Sequence, residues 1–283
     1  MKKKYNNILI IGLGMMGVSL CHSIKKNNIA KKVTGYDKDR NAIKYSLKNN
    51  LINSGLTELN NINDVDLIII CTPIGAYETT INKLIKIISY NTILTDIGSA
   101  KGETYRKAIL KLKKSKISYV SSHPMVGSEK SGSNNYIKDM YKNRITFLID
   151  RNSQNKSAYS KVRDFWRSIG SNTYDISSRK HDLVMSQTSH IAHLLSFMFV
   201  KVLPKSIIKK DLSLLMGGGI KEHIRLSKSD SDMWSDIFID NRKNLINSIT
   251  KINKQLLNLK KLLQNSNKNA IKSSLKGVQK KTK

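Results

Sequence analysis

The sequence predicts an α/β domain built on a mostly parallel sheet, followed by an all-α domain. Three observations predict it. From the N-terminus to about residue 177, short apolar runs alternate with segments of helical spacing, the pattern of strand–helix–strand units. Beyond that point no strand pattern returns, and apolar residues recur only at helical spacing. The length of 283 residues accommodates two domains at roughly 150 residues each.

The first domain reads as follows. Residues 8–13 form a short apolar run, the mark of a strand buried on both faces. Helical spacing follows over 15–26. A second strand covers 32–36 and ends at Asp37. Residues 39–49 read as a helix with Asp39 near its start, and 66–72, Asp-Leu-Ile-Ile-Ile-Cys-Thr, give the strongest strand signal in the chain. Pro73 opens a helix to about 88. Then come a strand at 92–96, a helix at 102–113 and a strand at 117–121 that runs into a polar loop at 123–132. A strand at 144–149, a helix at 156–169 and a strand at 172–175 complete the domain, 1–177. The second domain, 178–265, has helical spacing over 181–203, 212–216 and 231–264. Residues 266–283 lack a broad apolar face and read as a disordered basic tail.

Gly12-Leu13-Gly14-Met15-Met16-Gly17 is a G-x-G-x-x-G run that directly follows a strand and opens a helix. Asp37 stands 20 residues after Gly17, at the end of the second strand. Together these make the fingerprint of a Rossmann-type dinucleotide site. Gly12 permits the tight turn, Gly14 lets a pyrophosphate approach the backbone, and Gly17 lets helix and strand pack closely. The helix start offers unpaired amides to the phosphates. Asp37 suits the adenosine ribose hydroxyls and repels a 2′-phosphate, which favours NAD; Arg40 nearby keeps NADP as the alternative. Thr72-Pro73, Asp96-Ile97-Gly98-Ser99 and His123-Pro124 each follow a strand. They therefore gather at the carboxyl edge of the sheet, where ligands of such folds lie.

Lys and Arg total 50 against 20 Asp and Glu, a formal charge of +30. Such a balance raises nucleic acid or an anionic membrane as partner. The lysines are spread through every segment, beside abundant Asn and Ile, rather than gathered in a stripe with aromatic residues. That distribution favours a compositional bias, with a basic nucleic-acid-binding protein as the remote alternative. Two cysteines, Cys21 and Cys71, make neither a disulfide framework nor a zinc site, and no metal is implied. The longest apolar candidate, 191–203, is interrupted by His193, Ser196 and Lys201 and falls short of a membrane span. Met1-Lys2-Lys3-Lys4 resembles the start of a signal peptide, but a nucleotide loop follows in place of an apolar core and cleavage site. The expectation is a cytoplasmic protein without a membrane partner.

Further residues narrow the chemistry. Asp96-Ile97-Gly98-Ser99-Ala100-Lys101-Gly102 is followed by His123-Pro124-Met125-Val126-Gly127-Ser128-Glu129-Lys130-Ser131-Gly132. Then come His181-Asp182, Ser189-His190-Ile191-Ala192-His193, Gly217-Gly218-Gly219, Ile224-Arg225-Leu226 and Met233-Trp234-Ser235-Asp236-Ile237. This series resembles the prephenate and arogenate dehydrogenase family of tyrosine biosynthesis over roughly residues 8–263. The resemblance implies NAD-dependent oxidation of prephenate, with loss of carbon dioxide, to 4-hydroxyphenylpyruvate. Its alternative is arogenate oxidation to tyrosine, or dual (cyclohexadienyl) specificity. It implies a homodimer joined through the helical domains. It makes His123 the catalytic histidine on the ring hydroxyl and Ser99 the serine that orients it. Arg225 becomes the residue that binds a substrate carboxylate, and His181, Asp182, His190 and His193 line the cleft. Ala192 replaces a proline common in the family, and Glu222 stands where an Asp is more usual.

The chemistry agrees with such roles. Prephenate carries two carboxylates, and arginine donors match a carboxylate bidentately. Oxidising its ring carbinol needs a base on the hydroxyl, which histidine supplies near neutral pH. A two-domain 3-hydroxyacid dehydrogenase would need a catalytic lysine on the first long helix after the sheet, and 181–203 has none before Lys201. His190 and His193, three residues apart on one helical face, fit a hydrogen-bonded domain interface as well as a substrate site. No chorismate mutase segment or added ligand-sensing domain is expected.

Overall fold

The structure, a computed structural model, describes residues 4–281 except 61, 63, 90, 116, 154 and 205–216. An eight-stranded sheet organises the first domain, in the order β3-β2-β1-β4-β5-β6-β7-β8. The strands are β1 (Tyr5–Ile11), β2 (Ala30–Tyr36), β3 (Ser54–Leu56), β4 (Leu67–Ile70), β5 (Ile93–Asp96), β6 (Ser118–Pro124), β7 (Ile145–Ile149) and β8 (Asn172–Ile176). Pairing is parallel from β3 through to β6 and again between β7 and β8, and antiparallel between β6 and β7. The helices are α1 (Met15–Lys26), α2 (Arg40–Lys48), α3 (Tyr77–Leu84), α4 (Glu103–Ser115) and α5 (Lys156–Ser168).

Both sheet faces are covered, and the strands show it residue by residue. Ile8, Ile10, Leu67 and Ile69 belong to one core with Val18 and Ile24 of α1 and with Phe165 and Trp166 of α5. Leu9, Ile11, Ile68 and Ile70 belong to the other, with Ile81 of α3 and Leu112 of α4. Alternate side chains of one strand thus enter opposite cores, which is why β1 and β4 read as unbroken apolar runs.

Helices make up the second domain. Ser177 caps α6 (Ser178–Met185) by accepting the Lys180 amide. One wide π turn, Ser186–His190, leads into α7 (Ile191–Val202). Beyond lie α8 (Gly218–Ser227), α9 (Ser231–Asp240), α10 (Arg242–Gln264) and α11 (Lys268–Lys281). The apolar cluster here is small: Trp234 and Ile237 of α9 pack on Ile74 and Ala100 of the first domain. Polar contacts reinforce that junction. Asp236 accepts the Gly75 amide, and Asp240 accepts the amides of Gly102 and Thr104 at the start of α4.

Several expectations change. β3, three residues with Gly55 at its centre, is too short to leave a periodic signal. The helix after Pro73 is shorter than its spacing suggests, because Ile74–Ala76 form a 3₁₀ turn first. The 231–264 segment is two helices, since Asn241 (φ −103°) breaks the run. Helix α8 escaped notice because Gly217–Gly219 mask its start. The helix expected at 212–216 lies outside the described residues. The tail from 266 is not disordered over its length. It forms α11, whose Ile271, Leu275 and Val278 recur at helical spacing against a lysine-rich face. Counted from Ser178 to Val202, the α6–α7 rod is long and apolar enough to span a membrane, contrary to the expectation. Its His181, Asp182, Ser186 and His190 are buried, and three of them bond to residues beyond the rod, as described next. Only 28% of that apolar window is buried, so these polar groups face the rest of the chain while Met198, Phe199 and Val202 stay exposed.

Candidate active site

The glycine loop has the geometry its sequence demands. Gly12 adopts φ +97°, and a Cβ there would lie 2.9 Å from the Cys71 carbonyl carbon. A Cβ on Gly17 would overlap the Gly12 carbonyl oxygen at 1.9 Å, so only glycine lets α1 start this close to the turn. Gly14 faces open space. No side chain caps the start of α1, leaving its first amides for a ligand. Leu13 donates its amide to Asp37 Oδ2 at 2.6 Å, and Asp39 donates to Asp37 Oδ1 at 2.8 Å. Each carboxylate oxygen keeps lone-pair capacity for a hydroxyl. Met15 is buried at the loop and Met16 packs against its core. Across the turn, the buried Thr72 hydroxyl lacks a partner, and Pro73 opens the 3₁₀ turn. An uncapped helix start, a glycine open to space and an orphaned hydroxyl fit a dinucleotide.

The next strand end carries a buried ion pair. Lys101 Nζ lies 2.6 Å from Asp96 Oδ2, both side chains 1% exposed. Tyr77, Tyr119 and the amides of Gly98 and Ser122 also donate to Asp96. Burial opposes the Asp96 charge, but the Lys101 ammonium, with the Gly98 amide, holds its carboxyl below the usual range. Lys101 also donates to the Ser122 carbonyl. It therefore ties β5 to the residue before His123. Ser99, half-buried in the same loop, has no hydroxyl partner among the described residues.

His123, at the end of β6, is 6% exposed. Its Nδ1 lies 2.8 Å from His181 Nε2. His181 is fully buried, and its Nδ1 lies 2.9 Å from Asp182 Oδ1. That same oxygen accepts the Lys101 amide at 2.8 Å. Phe147 packs edge-on to the His181 ring. Burial pushes His123 well below the ordinary imidazole value, with His181 and Lys101 acting in the same direction. Burial, then Lys101, pull His181 down to about 3. Burial raises Asp182 to about 6. Among the described residues, no hydrogen bond occupies His123 Nε2, nor is that nitrogen sealed from solvent.

The other expected residues divide. His190 pairs with the Asn241 amide at 3.1 Å, and the same amide donates to the Asp182 carbonyl. Burial lowers it to about 4. It is a domain-junction histidine. His193 donates Nδ1–H to the Ser189 carbonyl and stacks on Trp234 at 3.8 Å. Arg225 is half-exposed on α8. Its guanidinium binds Glu222 through Nε and an NH₂ group, and reaches Glu129 at 3.2 Å. Because Glu129 belongs to the loop that follows His123, Arg225 docks α8 on that loop. Its fork faces two carboxylates of this chain. His181 and Asp182 lie behind His123 rather than on an open wall.

Sequence reading missed the partners: Lys101 as the Asp96 counter-ion, Glu129 and Glu222 at Arg225, and Asn241 beneath His190. Of these, only Lys101 left a usable signal, a charge five residues after a strand-end Asp. Among the described residues, no three His, Cys, Asp or Glu converge as a metal site.

Comparison with known proteins shows the family. Residues 20–175 match the family model described as prephenate dehydrogenase, nucleotide-binding domain, and residues 177–277 the one described as prephenate dehydrogenase, dimerization domain. The chain is 26% identical over 255 residues to a prephenate dehydrogenase of Bacillus subtilis, covering 87% of this chain and 67% of that protein. It is 24% identical over 246 residues to a cyclohexadienyl dehydrogenase of Zymomonas mobilis, covering 86% and 83%. Its structure superposes on that of an Aquifex aeolicus prephenate dehydrogenase in complex with hydroxyphenyl propionate and NAD⁺. There the TM-score is 0.88 and the identity 28%, over 100% of this chain and 99% of the other.

Proposed function

The chain belongs to the prephenate dehydrogenase family of NAD-dependent oxidoreductases, and on that premise we propose that it oxidises prephenate to 4-hydroxyphenylpyruvate and carbon dioxide. The observation that carries the reading is His123. It is a buried imidazole, neutral at pH 7, with one nitrogen engaged and the other open, at the carboxyl edge of the sheet. NAD, when bound at the glycine loop and Asp37, supplies the hydride acceptor. His123 Nε2 takes the proton of the ring hydroxyl as the carbinol carbon loses its hydride. Ser99 holds the same hydroxyl in line. The ring carboxylate then leaves as carbon dioxide, its bonding electrons pass into the ring towards the new carbonyl, and aromatisation completes the step. Arg225 binds a substrate carboxylate by exchanging it for Glu129 or Glu222. His193, held flat against Trp234, lines the same wall.

A second reading has its own support. Arogenate carries an ammonium where prephenate carries a keto group, and Glu129 with Glu222 supplies the acidic partners an amine requires. The exposed apolar side chains of the helical domain support a homodimer, and the proposed reaction supports a cytoplasmic enzyme of tyrosine biosynthesis. One assay tests all of this: absorbance at 340 nm with prephenate or arogenate, each with NAD or NADP. The expected result is turnover with prephenate and NAD. Turnover with arogenate alone establishes the second reading, and no turnover in any of the four mixtures refutes both.

A further inference from the structure

The site leaves two buried titratable residues without work of their own. His181 and Asp182 were expected to contact substrate, but they stand behind His123 in a line of hydrogen bonds. We propose that Asp182, acting through His181, holds His123 in the tautomer that carries its proton on Nδ1 and leaves Nε2 open as the base. Both are positioning residues. This inference rests on the reading of His123 above and extends it.

Hydrogen-bond direction makes the argument. Asp182 Oδ1 already accepts the Lys101 amide, and a carboxylate only accepts. The proton of the His181–Asp182 contact therefore sits on His181 Nδ1. A neutral imidazole holds one proton, so His181 Nε2 presents a lone pair. His123 Nδ1, 2.8 Å away, must then donate. The partner on one ring nitrogen thus decides the state of the other. An unrestrained imidazole favours its proton on Nε2, which would leave His123 a donor where a base is needed.

The surroundings hold this chain in place. Asp182 follows His181 directly on α6, its backbone carbonyl receives Asn241, and Phe147 packs on both imidazoles. The charged and titratable groups around it are Lys101 and Asp96 from the β5 loop, His190 from the π turn, Asp150 after β7 and Asp240 at the end of α9. Burial and Lys101 disfavour a proton on His181, whereas Asp182 titrates at about 6. At pH 8 the chain is two neutral rings and one carboxylate. When Nε2 receives the substrate proton, the carboxylate end offsets the new positive charge.

The direct test uses the full chain, labelled with ¹⁵N in its 6 histidines and free of substrate, at pH 8. Long-range ¹H–¹⁵N spectra, assigned with His123→Asn, report which nitrogen of each ring is protonated. The expected result is His123 protonated on Nδ1 with an unprotonated Nε2. Finding the proton on Nε2 overturns the proposal, whatever the variants do. In folded His181→Leu, the Nε2–H form of His123 should rise, and kcat should fall by about 10²-fold or more with KM nearly unchanged, as when a triad loses its orienting group. Asp182→Glu should recover part of the loss and Asp182→Leu none. A folded His181→Leu protein with unaltered tautomer and turnover contradicts the proposal. The spectrum needs no substrate, so failure of the proposed reaction in the 340 nm assay leaves it standing, and failure of the spectrum leaves the assay standing.

Discussion

The nucleotide-binding domain completes its own interior, and the helical domain does not. In the first, the apolar residues of β1, β4 and β5 enter two cores and are covered by helices. In the second, the described apolar cluster has four buried residues, two of them borrowed from the first domain, with Phe197, Met233 and Phe238 half-buried against it. Most exposed large apolar side chains among the described residues belong to the helices: Met198, Phe199 and Val202 on α7, and Ile246, Leu256 and Leu263 on α10. Exposed apolar side chains in this number suggest a surface that is covered in use, and residues 177–277 match a model described as a dimerization domain. The first domain is specified by its own sequence. The second is specified only together with its neighbours.

That contrast can be broken at its most buried point. Lys101→Met leaves the Asp96 carboxylate without its counter-ion inside the first domain, and losing one partner of a buried pair costs about 3–5 kcal/mol. Urea unfolding should register that loss. A change below about 1 kcal/mol would show that Tyr77, Tyr119 and the amides suffice for Asp96. In the second domain, a Phe199→Asp, Val202→Asp double variant should weaken the dimer by roughly 100-fold in dissociation constant. Its NAD affinity should stay near that of the parent. Sedimentation and calorimetric titration check both, and an unaltered dimer would move the interface off α7.

Smaller effects sharpen the comparison at the seam. Arg225→Ala should raise KM for prephenate about tenfold, roughly 1.4 kcal/mol, with kcat changed little. An unchanged KM would confine Arg225 to docking α8 on the loop after His123. The pH profile should show the smallest displacement. Burial keeps His123 unprotonated below the ordinary imidazole range, so its base form persists as pH falls from 8 to 6.5. Protonation of Asp182, at about 6, then removes the acceptor at the end of the chain. The acidic limb of kcat/KM should therefore lie at about pH 6 or below, as an apparent value of the coupled set. A limb at 7 or above would contradict this.

Legibility followed the same division. β1, β4 and α1 were readable because strands buried on both faces and a glycine turn are local patterns. The residues proposed to hold the cofactor, Gly12 to Gly17 with Asp37, were placed by spacing, and Thr72 and Pro73 by the strand end they follow. His123 and Arg225 came from resemblance, and their surroundings were hidden. The His181–Asp182 line and the Asn241–His190 pair join residues 51 to 58 positions apart, and no periodicity records such meetings. α8 went unread because Gly217–Gly219 mask its start, and α11 because its narrow row of Ile271, Leu275 and Val278 is set among lysines.

The central claim is that His123 is the base in prephenate oxidation, and initial rates at 340 nm with prephenate and NAD for His123→Asn test it most directly. General-base catalysis contributes about 10²–10⁴-fold, so kcat should fall by that factor with KM within a few-fold of the parent and NAD affinity unaltered. Turnover near that of the parent would contradict the account.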